Sequence, residues 1–264
     1  MTSAAPAPEV FQATLESCRP LPNQSRLFLC VIGSATNKKL PRFDAGQHVQ
    51  ISFSLEGEEY SQTLSIASGP EKSNWEFIVA KPETKGPATA FLALSKGDTI
   101  RVSKPAGTFT LDRIQHPHVA LVGGGAGLAP LRSMILSFTA KDCGFSPKSV
   151  VLWHGARCIE ELAFQREFEN LQSHSLFDFY YQPCVSKQGL VSGRKIIANR
   201  VDEAFAKSLG LGDHSAPESS FWADLHPSAK TSIVVCGPPG MVDAVIESAT
   251  GSPYEKDLIY EKWW

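Results

Sequence analysis

His118-Val119-Ala120-Leu121-Val122-Gly123-Gly124-Gly125-Ala126-Gly127-Leu128-Ala129-Pro130 lies near the middle of the chain, and the rest is read outward from it. Val119 to Val122 is a short apolar, β-prone run, as a buried strand requires. Glycines follow at once, and glycine lets backbone approach a ligand with no Cβ between them. Pro130 is at home in a first helical turn, where its missing N–H costs nothing. Leu131-Arg132-Ser133-Met134-Ile135-Leu136 continues with helical spacing. A helix that starts behind such a turn presents free N–H groups and the positive end of its dipole. The turn either holds an anion, a pyrophosphate above all, or simply joins a strand to a helix. Its spacing departs from the usual dinucleotide fingerprint. The glycines run Gly125-x-Gly127, and Pro130 stands where a helix-packing Gly or Ala is the rule.

More than a hundred residues precede this turn, and their grammar is different. Phe11–Leu15, Arg26–Ile32, His48–Leu55, Gln62–Ser68, Trp75–Ala80 and Thr99–Ser103 are short β-branched or aromatic runs. Turn residues such as Glu56-Gly57, Gly69-Pro70 and Lys96-Gly97-Asp98 separate them. Six such runs predict a six-stranded antiparallel Greek-key β-barrel, with one helical piece at Ala88–Leu94. After the boundary at Arg113–Pro117 the pattern alternates. Strands at Val119–Val122, Ser149–Trp153, Phe177–Gln182 and Ser232–Cys236 precede helices at Leu131–Phe138, Glu161–Leu171, Val201–Ser208 and Met241–Ser248. Leu258–Tyr260 closes as a last strand. This order predicts an α/β domain with a parallel sheet. The expected organisation is two domains: a barrel over residues 9–114 behind a disordered tail at 1–8, and an α/β domain over 115–264. Residues 210–230 lack periodicity and read as a surface insertion.

Bulk properties narrow the classes. The chain has 264 residues, 42% hydrophobic and 20% charged, as an ordinary globular protein does. A net charge of -2 opposes a general nucleic-acid binder. No apolar run approaches the roughly 18 residues that span a bilayer. The Ala/Pro-rich stretch Met1–Val10 lacks a secretory pattern. A soluble, cytoplasmic monomer is expected. The six cysteines, Cys18, Cys30, Cys143, Cys158, Cys184 and Cys236, show no C-x-x-C, so no iron–sulfur or zinc site is expected; all but Cys236 are expected to be reduced thiols. The seven histidines show no paired ligand spacing, so no metal is expected.

Eight segments, in order, carry a resemblance. They are Phe43-Asp44-Ala45-Gly46-Gln47-His48-Val49; Gln62-Thr63-Leu64-Ser65-Ile66-Ala67-Ser68; Lys85-Gly86-Pro87-Ala88-Thr89-Ala90-Phe91-Leu92; and Pro105-Ala106-Gly107-Thr108-Phe109-Thr110-Leu111. Then come the turn Gly123–Pro130; His154-Gly155-Ala156-Arg157 with Glu161-Leu162; Val235-Cys236-Gly237-Pro238-Pro239-Gly240-Met241; and the end, Glu261-Lys262-Trp263-Trp264. Together they resemble the ferredoxin–NADP reductase superfamily over nearly the whole chain. The resemblance implies an FAD-dependent NAD(P)H oxidoreductase that moves hydride from nicotinamide C4 to flavin N5 and electrons on to a separate acceptor, such as a ferredoxin, a flavodoxin or another redox protein.

It also implies the sites. Gln62, Thr63, Leu64, Ser65, Gly86, Ala88, Thr89 and Trp263 fall at flavin positions. Gly124, Gly125, Ala126, Gly127, Leu128, Pro130, Arg157, Ser186, Lys187, Arg194, Cys236, Gly237, Pro238 and Met241 fall at nicotinamide-nucleotide positions. Ser65, Cys236 and Glu261 fall where the chemistry occurs. Cys236 either contacts the nicotinamide or is a small buried strand-end residue. Glu261 either assists proton movement or is a solvated terminal charge. Trp263 either stacks on the flavin or plugs the sheet edge with Trp264. Lys187, Arg194 and Arg157 as an anion clamp favour NADPH over NADH; alternatively, Lys187 and Arg194 are ordinary loop charges.

The departure is at the flavin. The family's phosphate-binding Arg is Gln62 here, and its stacking Tyr is Leu64. A charge-assisted contact becomes a neutral one, and aromatic stacking of about 0.5–1.5 kcal/mol is lost. Weaker flavin binding follows. Two other functions therefore stay open: a flavin reductase that uses flavin as an exchanging substrate, and a non-catalytic nucleotide-binding module.

Overall fold

The computed structural model describes residues 9–22, 26–36, 38–140, 144–174, 177–187, 196–211 and 230–262. The tail at 1–8, most of the insertion at 210–230, Arg194, Trp263 and Trp264 lie outside them.

Strands β1 (Val10–Pro20), β2 (Leu27–Ser34), β3 (His48–Leu55), β4 (Glu58–Ser65), β5 (Trp75–Ala80) and β6 (Thr99–Ser103) form an antiparallel sheet in the order β4-β3-β6-β1-β2-β5. A bridge from Ile66 to Phe77 draws its two edges together. The curled sheet encloses Leu15, Ile32, Ile51, Phe53 and Phe77, with Phe91 of α1 (Pro87–Leu92) packed among them.

Strands β7 (His118–Gly124), β8 (Ser149–Ala156), β9 (Asp178–Val185), β10 (Thr231–Gly237) and β11 (Leu258–Lys262) form a parallel sheet in the order β11-β10-β7-β8-β9. Helices α2 (Leu128–Phe138), α3 (Gln165–His174), α4 (Val201–Leu209) and α5 (Pro239–Ala249) cover it. Side chains alternate across a strand. Val119 and Leu121 of β7 therefore join the α2 face, and Ala120 and Val122 join the face of α4 and α5. β7 pairs with β8 on one side and β10 on the other. The chain reverses its direction of travel there, so a crevice opens at the carboxyl ends of these strands.

Several boundaries differ from the sequence reading, each for a local reason. β4 begins at Glu58 because Glu56 and Gly57 both have positive φ, 53° and 84°, the geometry of a tight two-residue hairpin. Ile66 and Ala67 leave β4 to bond Gln47 and Glu76. α2 starts at Leu128, directly after a 3-10 turn at Gly125–Gly127. α3 starts at Gln165 because Phe164 sits at φ 57°, in the left-handed region that interrupts a right-handed helix. The expectation of reduced cysteines is corrected. Cys18 and Cys30 face each other on β1 and β2 and are disulfide-bonded, with Cα atoms 4.0 Å apart. Their separation in sequence hid a cross-strand pairing that only the register reveals.

One buried side chain fastens the barrel to the parallel sheet. Arg132, on α2, is 7% exposed. Its Nε and Nη2 donate to the two carboxylate oxygens of Glu167 at 2.8 and 2.9 Å. Its Nη1 donates to Glu76 of β5 at 2.6 Å and to the Ala67 carbonyl at 2.8 Å. The guanidinium lies 4.4 Å from the centroid of the Phe164 ring. Burial disfavours its charge, but Glu167 and Glu76 outweigh that and hold its pKa above the ordinary value. Ser133 adds a bond to the Ser68 carbonyl at 2.7 Å. Around these polar contacts, Leu29, Ala67 and Ile78 of the barrel share one apolar core with Leu128, Leu131 and Ile135.

Arg132→Met is expected to cost about 3–5 kcal/mol, because it leaves two carboxylates without their cation. Thermal unfolding should show a fall of roughly 10 °C. A shift below about 3 °C would show that the apolar contacts hold the two sheets without it.

Candidate active site

The crevice is built by close backbone approach. Register places Gly123 of β7 opposite Cys236 of β10 and His154 of β8, and Gly124 opposite Gly155. A Cβ on Gly127 would overlap the backbone of Gly237, and one on Gly124 would stand 2.5 Å from the Gly155 carbonyl. Only glycine allows the turn to lie against β10 this closely. Gly125 differs: its φ is 59° and its missing Cβ would meet open space. The turn thus packs on one side and is open on the other, at the start of an eleven-residue helix. Leu128 and Pro130 are buried behind it. Pro238 caps α5 by accepting from the amides of Met241 and Val242, and buried Met241 closes the far wall beside Gly237.

On the barrel side, Ser65 pairs with His48 across β4 and β3, and His48 bridges to Ala106. The His48 ring lies over Gly107, where a Cβ would come within 2.9 Å of it. His48 Nδ1 stands 3.7 Å from the carboxylate of Glu261. Glu261 is opposite Cys236 in the parallel register. Ser65, Glu261 and Cys236, separated by nearly two hundred residues, thus lie along one path across the gap between the sheets, and His48 joins its two halves. His48 was quoted in the sequence only as part of a strand entry; no local signal marks its partner. Cys236 is buried, and burial, followed by the Glu261 charge, pushes its thiol pKa up. A thiol held protonated is a packing and contact group, not a nucleophile.

The flavin positions divide. Thr63 is exposed, while Leu64 packs against the barrel core, so its side chain takes the place of a stacking ring with a core contact. Gln62 Nε2 is buried with no hydrogen-bond partner among the described residues. Such an orphan donor costs roughly 1–3 kcal/mol, and a bound acceptor would remove that cost. At α1 the Gly86 amide donates to Thr89 Oγ1 at 2.8 Å, and the same hydroxyl donates to the Gly86 carbonyl. The Thr89 hydroxyl is therefore already committed, and Ala88 beside it is half-buried. These groups fit the uncharged part of a flavin better than its phosphates.

Arg157, Ser186 and Lys187 are brought together. The Ser186 amide donates to the Ala156 carbonyl at 3.1 Å, and the Lys187 amide to the Arg157 carbonyl at 2.9 Å. Arg157 forms a two-pronged ion pair with Glu161, which holds its pKa above the ordinary value. Arg194, the third member of the expected clamp, lies outside the described residues. Beneath this group His154 is fully enclosed, 3.0 Å from the Tyr181 hydroxyl, and burial pushes its pKa down to about 3.

Comparison with known proteins sets this geometry in context. Residues 121–247 match the family model described as an oxidoreductase NAD-binding domain. The ferredoxin–NADP reductase of Azotobacter vinelandii is 30% identical over 221 residues, covering 80% of this chain and 79% of that protein. The chain belongs to the ferredoxin–NADP reductase superfamily. Another member, the reductase component of propane 2-monooxygenase from Mycolicibacterium goodii, is 29% identical over 222 residues, covering 83% of this chain and 58% of its own length. The chain spans between 43% and 58% of several such curated relatives. The superfamily fold is matched by a ferredoxin NADP+ reductase from Neisseria gonorrhoeae solved with bound FAD and NADP. Its TM-score is 0.75 at 19% identity, covering 96% of this chain and 98% of that one. No helix among the described residues is long and apolar enough to cross a membrane.

Two outcomes test this site. Gly127→Ala should weaken NADP+ binding at least tenfold in calorimetric titration, because the turn must lift off Gly237; unchanged affinity would place the nucleotide elsewhere. His154 stays neutral in the folded chain down to about pH 3, whereas its ordinary value is 6.5. The unfolded chain therefore binds the extra proton first, and stability is lost as pH falls below 6.5. The loss reaches about 2 kcal/mol by pH 5. His154→Gln should flatten the unfolding midpoint between pH 7 and pH 5; an unchanged slope would contradict the assignment.

Proposed function

We propose that this chain is a flavin-dependent NAD(P)H oxidoreductase that passes electrons to a separate acceptor. One observation carries the reading: the His48–Glu261 contact draws Ser65 of the barrel and Cys236 of the parallel sheet to the same gap, at the open side of the glycine turn. When bound, the flavin accepts a hydride from nicotinamide C4 and releases its electrons onward. The protein supplies position. The amides of Gly124, Gly125, Ala126 and Gly127, with the dipole of α2, hold the nucleotide pyrophosphate. Cys236 and Gly237 give the nicotinamide a flat, uncharged floor, walled by Pro238 and Met241. Ser65 would offer a hydroxyl to flavin N5, with Thr63 and Gln62 along the same strand, and Glu261 would stand nearby to assist proton movement. Alignment of this kind is worth more to rate than any single contact. The acceptor is a ferredoxin, a flavodoxin or a comparable redox protein, in keeping with relatives named as a ferredoxin–NADP reductase and a monooxygenase reductase component.

Arg157 and Lys187 would clamp the adenosine 2′-phosphate, with Ser186 adding a neutral donor, so NADPH is preferred to NADH; Arg194, the third expected member, lies outside the described residues. Glu161 then shares Arg157 with the phosphate. Arg157→Ala or Lys187→Ala should raise KM for NADPH at least tenfold more than for NADH. Equal effects on both would refute the clamp.

A second reading is favoured by the committed Thr89 hydroxyl and by Leu64, whose side chain packs on the barrel core: flavin binds weakly and exchanges between turnovers. Desalting distinguishes the two. A protein that stays yellow supports resident FAD; a colourless one that oxidises NADPH only when flavin is added supports exchange. No flavin binding and no oxidation at saturating flavin would refute both.

A further inference from the structure

We propose that His48 is a positioning residue for Glu261, holding the C-terminal strand's carboxylate across the gap between the two sheets. The argument begins with β11. It is a five-residue edge strand that, among the described residues, pairs on one side only, with β10. Such an end needs side-chain anchors to keep its last residues in register. Its last two described residues point to opposite faces, as alternation demands. Lys262 pairs with Asp243 of α5, on the face away from the barrel. Glu261 reaches the barrel and meets His48 at 3.7 Å, with the two side chains 16% and 24% exposed.

His48 is well fixed for this task. Its backbone exchanges both hydrogen bonds with Ala106, each 2.9 Å, and its ring rests on Gly107, where no side chain fits beneath it. Gly107 has φ 108°, so the position under the ring is kept for glycine by conformation as well as by space. Half-buried and opposite Cys236 in the register, the Glu261 carboxylate feels the polar imidazole at 3.7 Å more strongly than it would in water. Replacing His48 removes this contact from the Glu261 carboxylate and loosens its hold beside Ser65. His48 acts through Glu261.

This inference rests on the flavin-reductase reading, and a double-variant cycle separates the two. With flavin and NADPH saturating, His48→Phe should lower kcat about tenfold and change KM for NADPH less than twofold. Glu261→Gln should match it, and the double variant should fall no further. His48→Gln, which keeps a neutral donor, should recover at least a third of the wild-type rate. The same cycle is read without turnover in the thermal midpoints of the flavin-free protein, where the two losses should again fail to add. Additive losses in either cycle, or a His48→Gln variant as slow as His48→Phe, would overturn the proposal. A wild-type chain inactive with every flavin would overturn the reading of function instead, and the midpoint cycle would then decide the pair alone.

Discussion

The Arg132 guanidinium is the contact on which the arrangement of the molecule depends. It sits in the first helix after the glycine turn, yet it bonds the carbonyl of Ala67, just beyond the strand that carries Ser65. The helix that starts at the glycine turn is therefore fastened directly to the barrel, beside the strand that carries Ser65. Both carboxylates it pairs with come from other elements, β5 and α3. A buried cation with four directional bonds fixes the angle between two sheets in a way that apolar packing alone does not, since hydrophobic contact is non-directional.

From this fastening the gap acquires its character. One wall is the barrel edge with Ser65 and His48, and the other is the row of strand ends with Glu261, Cys236 and Gly123. Glycine is used where backbone meets backbone, at Gly127 against Gly237 and Gly124 against Gly155. Neutral, protonated or paired groups stand at these strand ends and behind them. Cys236 is held as a thiol, His154 as a neutral imidazole, and Arg157 is balanced by Glu161. A site of this kind binds and aligns, and leaves the redox chemistry to the groups it holds.

The fold was legible because its signals are local. Alternating short strands gave the barrel, and the strand-glycine-helix order gave the parallel sheet. Long-range pairings were not legible. Nothing near Cys18 points to Cys30, nothing near Arg132 points to Glu76, and His48 gives no hint of Glu261. Each depends on a register or docking angle that no window of sequence contains. Boundaries failed where a single dihedral ruled, as at Phe164. The sequence did show that Gln62 and Leu64 replace an Arg and a Tyr, and the orphan amide of Gln62 gives that substitution a physical consequence.

The central claim, that a nicotinamide and a flavin meet in this gap, is tested most directly by anaerobic mixing of NADPH with the flavin-loaded protein. The account predicts that the yellow absorbance bleaches in one turnover with one NADPH consumed per flavin, and that NADPH deuterated at C4 slows the bleaching. Absorbance unchanged by either NADPH or NADH, with flavin demonstrably bound, would contradict it.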